Sequence, residues 1–190
     1  MMEHRWGTWI SSPSTGKERS LKCALTVKHG SGRGQECAHR MSGFNDTFRR
    51  QRLRDAFPGA ARVDLGSASI DQVSRLYQEA GYDVGVEFRR FLEEYREFSI
   101  SWIYREMEVG VQIDAEGALS FHPGNIRIFS QRVGRPLIPV GSAFATEEVV
   151  LIAGDGDVFL AGDAGMQYVG NGFMQSMQAL ISGNWDKVFF

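Results

Sequence analysis

Three aspartates set between glycines, Asp155, Asp157 and Asp163 in "EVVLIAGDGDVFLAGDAGMQYVG", are the first residues whose type and spacing could do chemistry. A calcium loop needs oxygen ligands at alternate positions and a bidentate glutamate twelve residues on. Here Asp157 is followed by Val158, Phe159 and Leu160, the composition of a strand. A phosphate cradle needs Lys and Ser/Thr after its glycines, and carboxylates repel phosphate. The reading left is architectural, since Asp and Gly are what tight hairpins use. Cys23, His29, Cys37 and His39 match no common zinc-finger spacing and read as incidental. His122 in "SFHPG" reads as a turn residue rather than a base. "GDAGM" carries Asp-Ala where a nucleophile elbow needs serine, and there is no cysteine after Cys37. Glu93 and Glu94 are neighbours in sequence, so on a helix they diverge by roughly 100° and form no close dyad. No catalytic residue, metal or cofactor is expected, and an enzyme is the reading with least support.

The elements around these residues follow two rhythms. "SIDQVSRLYQEAGY" is helical: Ser69 can cap with Gln72 as capping-box partner, Ile70, Val73, Leu76, Tyr77 and Ala80 form a stripe, and Gly81 stops it. "VGVEFRRFLEEYREF" repeats the pattern, with Val84, Phe88, Phe91, Leu92 and Tyr95 on one face. "SISWIY" and "EVGVQID" then alternate with period two, and "EGALSFHP" reads as a further short strand. "NIRIFSQRVG" has Ile126, Phe129 and Val133 at helical spacing. "VVLIA", "DVFLA" and "MQYVG" are strands joined by turns too short for parallel crossovers. "NGFMQSMQALISG" closes as a helix capped by Asn171, burying Phe173, Met177, Leu180 and Ile181, and ended by Gly183. Val63, Trp102 and Tyr104 read as core or sheet face. The predicted fold is α+β: an N-terminal helix pair, a mostly antiparallel sheet with helices on one face, and a short closing C-terminal helix.

Charge divides the chain. Residues 1–54 carry 11 Lys/Arg against 4 Asp/Glu, and residues 55–190 carry 10 against 19. The expected organisation is a basic, disordered extension over 1–48 and an α+β domain over 49–190. Met41 could serve as an alternative start. The run "RRQRLR", Arg49 to Arg54, reads as a solvated, poorly ordered edge. An acidic domain repels nucleic acid and attracts a basic partner. Two cysteines make no disulfide framework. No apolar run reaches the roughly 18 residues of a membrane span, and the first twenty residues show no signal-peptide apolar region. The expected compartment is the cytoplasm, with no membrane and no direct nucleic-acid contact.

From about Val63 to Trp185 the order of motifs resembles the SUKH superfamily, and within it the SUKH-3 immunity-protein family. "RLYQEAGYDVGVEFRRFLEEY" resembles the family's opening helix pair, "LSFHPGNI" its strand running into Pro before a short helix. "PLIPVGSAFATEEVVLIAGDGDVFLAGDAGMQYVGNGFMQSMQALISG" resembles its strand, glycine hairpin, strand and terminal helix. Ile138 stands where an aromatic is frequent, and Arg96-Glu97-Phe98 replaces a glycine-rich end. The resemblance implies an immunity protein of a bacterial toxin-immunity (polymorphic toxin) system, which binds and neutralises a cognate toxin. Many such toxins are nucleases, which must present a basic surface to phosphates. The alternative is a general interaction or scaffolding module without a toxin partner. By acidity and loop position, the expected protein-binding residues are Glu147, Glu148, Asp155, Asp157 and Asp163, with Glu93, Glu94 and Glu97.

Overall fold

A computed structural model describes residues 47–144 and 148–190. The basic arm to residue 46, with Cys23, His29, Cys37, His39 and Met41, lies outside the described residues, as does Glu147. Helix α1 spans 47–56. After it come β1 (Arg62–Leu65), α2 (Ile70–Glu79), α3 (Val86–Tyr95), β2 (Phe98–Tyr104), β3 (Met107–Ile113), α4 (Ala115–Ser120) and α5 (Pro123–Val133). The chain finishes with β4 (Leu137–Ala143), β5 (Glu148–Ala153), β6 (Asp157–Gly162), β7 (Gly165–Asn171) and α6 (Phe173–Ser182). The seven strands form one sheet in chain order, and every neighbouring pair is antiparallel. The α+β class, the antiparallel meander and the closing helix therefore stand as expected.

The sheet carries two cores. On one face α1, α2, α3 and α6 bring Leu53, Tyr77, Phe91, Leu92, Tyr95, Phe173, Met177 and Leu180 onto strand residues such as Phe98, Ile100, Trp102 and Val150. On the other face Ile126 of α5, with Phe129 and Val133 against it, covers Leu137, Val149, Leu151, Phe159 and Met166. The expectation of helices on one face is thus corrected. The reason is visible in β5: Val149, Leu151 and Ala153 enter one core while Val150 and Ile152 enter the other. A strand buried on both sides reads as a continuous apolar run, and such a run needs cover on both faces.

Three local expectations also change. "EGALS" is not a strand but helix α4, because the Asp114 carboxylate accepts from Gly117 N–H at 2.5 Å and Ala118 is fully buried. Ser69 stands at the N-cap of α2 without a side-chain cap bond, so no capping box forms with Gln72. The N-cap of α6 is Gly172 at φ +87°, while the Asn171 amide donates to Asp155 O and Asp157 Oδ1.

The arginine run is helix, not loose edge. Leu53 and Phe57 sit at 0% and 1% exposure in the main core. Arg49 Nε donates to Glu94 O at 2.8 Å, and Arg52 pairs with the Glu94 carboxylate at 2.7 Å. Charge marked a boundary near residue 54 that packing does not respect.

The link from α3 to β2 shows how a glycine is replaced. Glu97 takes a left-handed φ of +47°, a conformation that costs a non-glycine residue about 1 kcal/mol. Its carboxylate accepts from Ala68 N–H at 2.7 Å and its carbonyl from Gly66 N–H at 2.6 Å, which offsets that cost. Phe98 then enters β2 in register with Leu65 and Ile113. On β4 the register slips between Pro139 and Gly141. The Pro139 carbonyl there accepts from the buried Tyr77 hydroxyl at 2.9 Å, tying α2 to the sheet.

Phe57→Ala is expected to cost about 3–5 kcal/mol, the usual penalty for an aromatic core truncation. Chemical denaturation of the purified chain measures it. A loss under about 1 kcal/mol would show that α1 and its following turn do not belong to the folded unit.

Candidate functional site

An antiparallel meander sends successive hairpins to alternate ends of the sheet, and this separates the acidic residues expected to act together. The β4–β5 and β6–β7 hairpins lie at one end, together with the two-residue β2–β3 turn, Arg105-Glu106. Glu148 and Asp163 are therefore at that end, as is the exposed Glu106. The β5–β6 hairpin, with Asp155 and Asp157, lies at the opposite end. The α3–β2 link, with Glu93, Glu94 and Glu97, is at that opposite end too, because Leu65 pairs with Phe98. The acids form two sets across the length of the sheet rather than one rim.

The second set is engaged internally. Arg135, one residue past the left-handed Gly134 that ends α5, forms ion pairs with both Asp155 and Asp157. The Asn171 amide donates to Asp157 Oδ1 at 2.9 Å and the Tyr168 hydroxyl to the same oxygen at 3.2 Å. The Arg135 guanidinium also lies 5.6 Å from the centre of the Phe159 ring. Four elements meet in this network. Glu94 is paired with Arg52, Glu93 lies 3.8 Å from Arg89, and Glu97 holds the Ala68 amide. Burial first, then Asp157, pushes the Tyr168 hydroxyl above its ordinary pKa.

The hairpin geometry of "GDGD" is as expected with one refinement. The positive φ falls on Gly156 (+91°) and Gly165 (+124°), not on the aspartates. The aspartates are thus free to use their side chains, and Asp155 and Asp157 use them on Arg135. No group of three His, Cys, Asp or Glu residues among the described residues is placed to hold a metal ion. His122 is exposed at the N-cap of α5, and its Nδ1 accepts from Gly124 N–H at 3.1 Å.

The first set is differently placed. Asp163 is exposed at the β6–β7 turn. Glu148 opens β5 opposite Ala143, half-buried, and its Oε2 meets no hydrogen-bond donor among the described residues. Burial pushes its carboxyl above the usual range. Tyr104 closes β2 at the same end of the sheet, and the Lys187 ammonium lies 5.5 Å from its ring centre and 4.3 Å from that of Trp185.

Sequence reasoning missed Glu106, because a turn of Arg and Glu, both at positive φ, lacks the glycine or asparagine that marks a hairpin. It also missed Asp114 and Glu116. With Glu97 and Gln72 these line a hollow of about 140 Å³ between α2 and α4. Reading "EGALS" as a strand hid the helix start that places both carboxylates there.

These features define an α+β protein built on a seven-stranded antiparallel meander, with charged groups gathered at the two ends of the sheet. A family model described as SUKH-3 immunity protein matches residues 65–183, and the chain belongs to that family. No curated protein and no solved structure matches the chain. No helix among the described residues is long and apolar enough to cross a membrane.

Two outcomes follow from these environments. Asp157→Ala leaves Arg135 with one carboxylate fewer in a site where the aspartate side chain is only 16% exposed. The expected loss is about 1–3 kcal/mol, read from urea melts. Glu148 has the opposite sign. A folded state that holds a proton more tightly than the unfolded chain loses stability as pH rises from the ordinary glutamate pKa through the raised one. Glu148→Gln is therefore expected to be more stable than the parent at neutral pH. The gain should vanish in acid below the ordinary glutamate pKa, as melts at the two pH values would show.

Proposed function

We propose that this chain is an immunity protein that binds and neutralises a cognate bacterial toxin by direct protein–protein contact in the cytoplasm. The observation that carries the reading is membership of the SUKH-3 immunity protein family over residues 65–183. The partner on this reading presents a basic surface, as a nuclease does, and an acidic patch competes for that surface and speeds encounter. The working unit is the domain over 49–190, with residues 1–48 an extension to it.

Of the eight acidic residues expected at the contact, we assign the leading role to Glu147, Glu148 and Asp163. The pairs at the far end support this choice. A carboxylate already facing an arginine projects little net field, so Asp155, Asp157 and Glu94 have less to offer a cationic partner. Asp163 is exposed at its turn, and the rings of Tyr104 and Trp185, which share the Lys187 ammonium, would supply apolar contact.

Co-expression with the toxin encoded beside this chain tests the function: growth should be restored, and purified partners should form a complex. Failure to bind or rescue would overturn the immunity reading. The combined change Glu147→Lys, Glu148→Gln and Asp163→Lys tests the surface. Association should slow about tenfold or more and lose much of its salt dependence. Reversal of Glu93 and Glu94 should change it far less. An unaltered rate in the first variant, with rescue intact, would remove the assignment while leaving the function standing.

A further inference from the structure

The two outer strands of the sheet are protected unequally. A strand edge presents unpaired N–H and C=O groups, and proteins blunt it with brevity, charge, proline, bulges or a cover. β1 is four residues long and carries Arg62 and Asp64. β7 is seven residues, "GMQYVGN", with no charged residue and no proline. Its register with β6 slips once, where Val158 faces Gly170 and Phe159 faces Tyr168, so the irregularity sits in its second half. The first half is regular.

That regular half is covered by the segment Asn184–Phe190, which lies beyond the range matched by the family. Phe189 bridges Gln167 in antiparallel sense. Phe190 N–H donates to Met166 O at 3.0 Å, and Met166 N–H donates to Phe190 O at 3.4 Å. The Gln167 amide donates to Lys187 O at 3.0 Å. Yet the cover is shallow. Trp185 packs against the main core, but Val188, Phe189 and Phe190 remain 66%, 48% and 50% exposed, so the last three residues bury little apolar surface. One of its polar contacts also lies at the surface: Lys187 Nζ stands 3.4 Å from the Tyr104 hydroxyl. Segments with few buried contacts open far more often than the fold as a whole.

We propose that Asn184–Phe190 is a guard over the edge of β7, and that β7, once uncovered, pairs antiparallel with β7 of a second copy of this chain. An antiparallel edge is its own complement, because a two-fold axis brings each donor opposite an acceptor of the same strand in the partner. With no like charges on β7 to oppose that approach, the second copy is the occupant the edge fits best. This inference does not depend on the toxin reading.

The test uses the full-length chain with Phe189→Gly and Phe190→Pro, which removes the ring contacts and the donor to Met166 O without adding charge. At high dilution the Met166 amide should exchange at least about tenfold faster than in the parent. On raising the concentration, sedimentation should show the mass doubling, while the parent stays monomeric. Adding Tyr168→Lys to the loosened chain should return it to a monomer, since a lysine on an edge strand opposes pairing. A chain ending at Gly183 should behave as the loosened variant does. A folded, loosened chain that stays monomeric would overturn the proposal, as would a dimer indifferent to Tyr168→Lys or a parent that dimerises as readily. Failure of both altered chains to fold would make the segment a structural strand and likewise overturn it.

Discussion

The fold depends on one buried aromatic contact set, centred on Phe173. Its ring lies 5.1 Å from that of Phe91, 4.5 Å from Tyr95 and 6.2 Å from Phe98. Through it α6, the last helix, is locked to α3 and to β2, elements about eighty residues earlier in the chain. Edge-to-face and tilted rings at these separations attract beyond the area they bury. Phe57 joins the set through Phe98 at 5.7 Å, which is how the turn after α1 is held. Burial in this knot pushes the Tyr95 hydroxyl well above its ordinary pKa, with Glu94 adding to the effect and Arg52 and Arg49 opposing it. The hydrophobic core and the charge pairing of α1 with α3 are therefore one arrangement: the rings bring the helices together, and Arg52 finds the Glu94 carboxylate as a consequence.

Electrostatics follows topology in this protein. Net charge counted along the sequence suggested a basic arm and an acidic body. Folding brings Arg52 onto the Glu94 carboxylate, and Arg135 onto Asp155 and Asp157, so part of that acidity is neutralised from within. What is left is unevenly distributed between the two ends of the sheet. A partner arriving from solution meets the residual field, not the summed composition, and exposed ion pairs such as Arg89 with Asp71 add little to stability.

Strands β2, β3, β5, β6 and β7 were legible because β structure writes itself in period two or in short apolar runs. "FSISWIY" shows Phe98, Ile100 and Trp102 inward with serines between them, and "VVLIA" shows a strand buried on both sides. The helices α2, α3, α5 and α6 were legible from apolar spacing and from Gly81, Gly134 and Gly183, each at positive φ where a helix stops. Helix α4 was not. Six residues hold less than two turns, too few to show a period, and its start is set by a single Asp114 bond. The capping roles given to Ser69 and Asn171 failed for a related reason: a short polar side chain has several backbone partners in reach, and the surrounding turns choose among them.

Sequence alone determined the class of fold, the antiparallel order and the family, because these rest on local periodicity, turn length and the order of short motifs. Tertiary structure alone decided that helices cover both faces of the sheet, that the arginine helix belongs to the core, and that the acids divide between two ends. Those facts depend on contacts between residues far apart in the chain, such as Phe57 with Phe98 and Arg135 with Asp155. Local pattern carries which face of an element is apolar, but the partner that covers it is set only when all the faces pack at once.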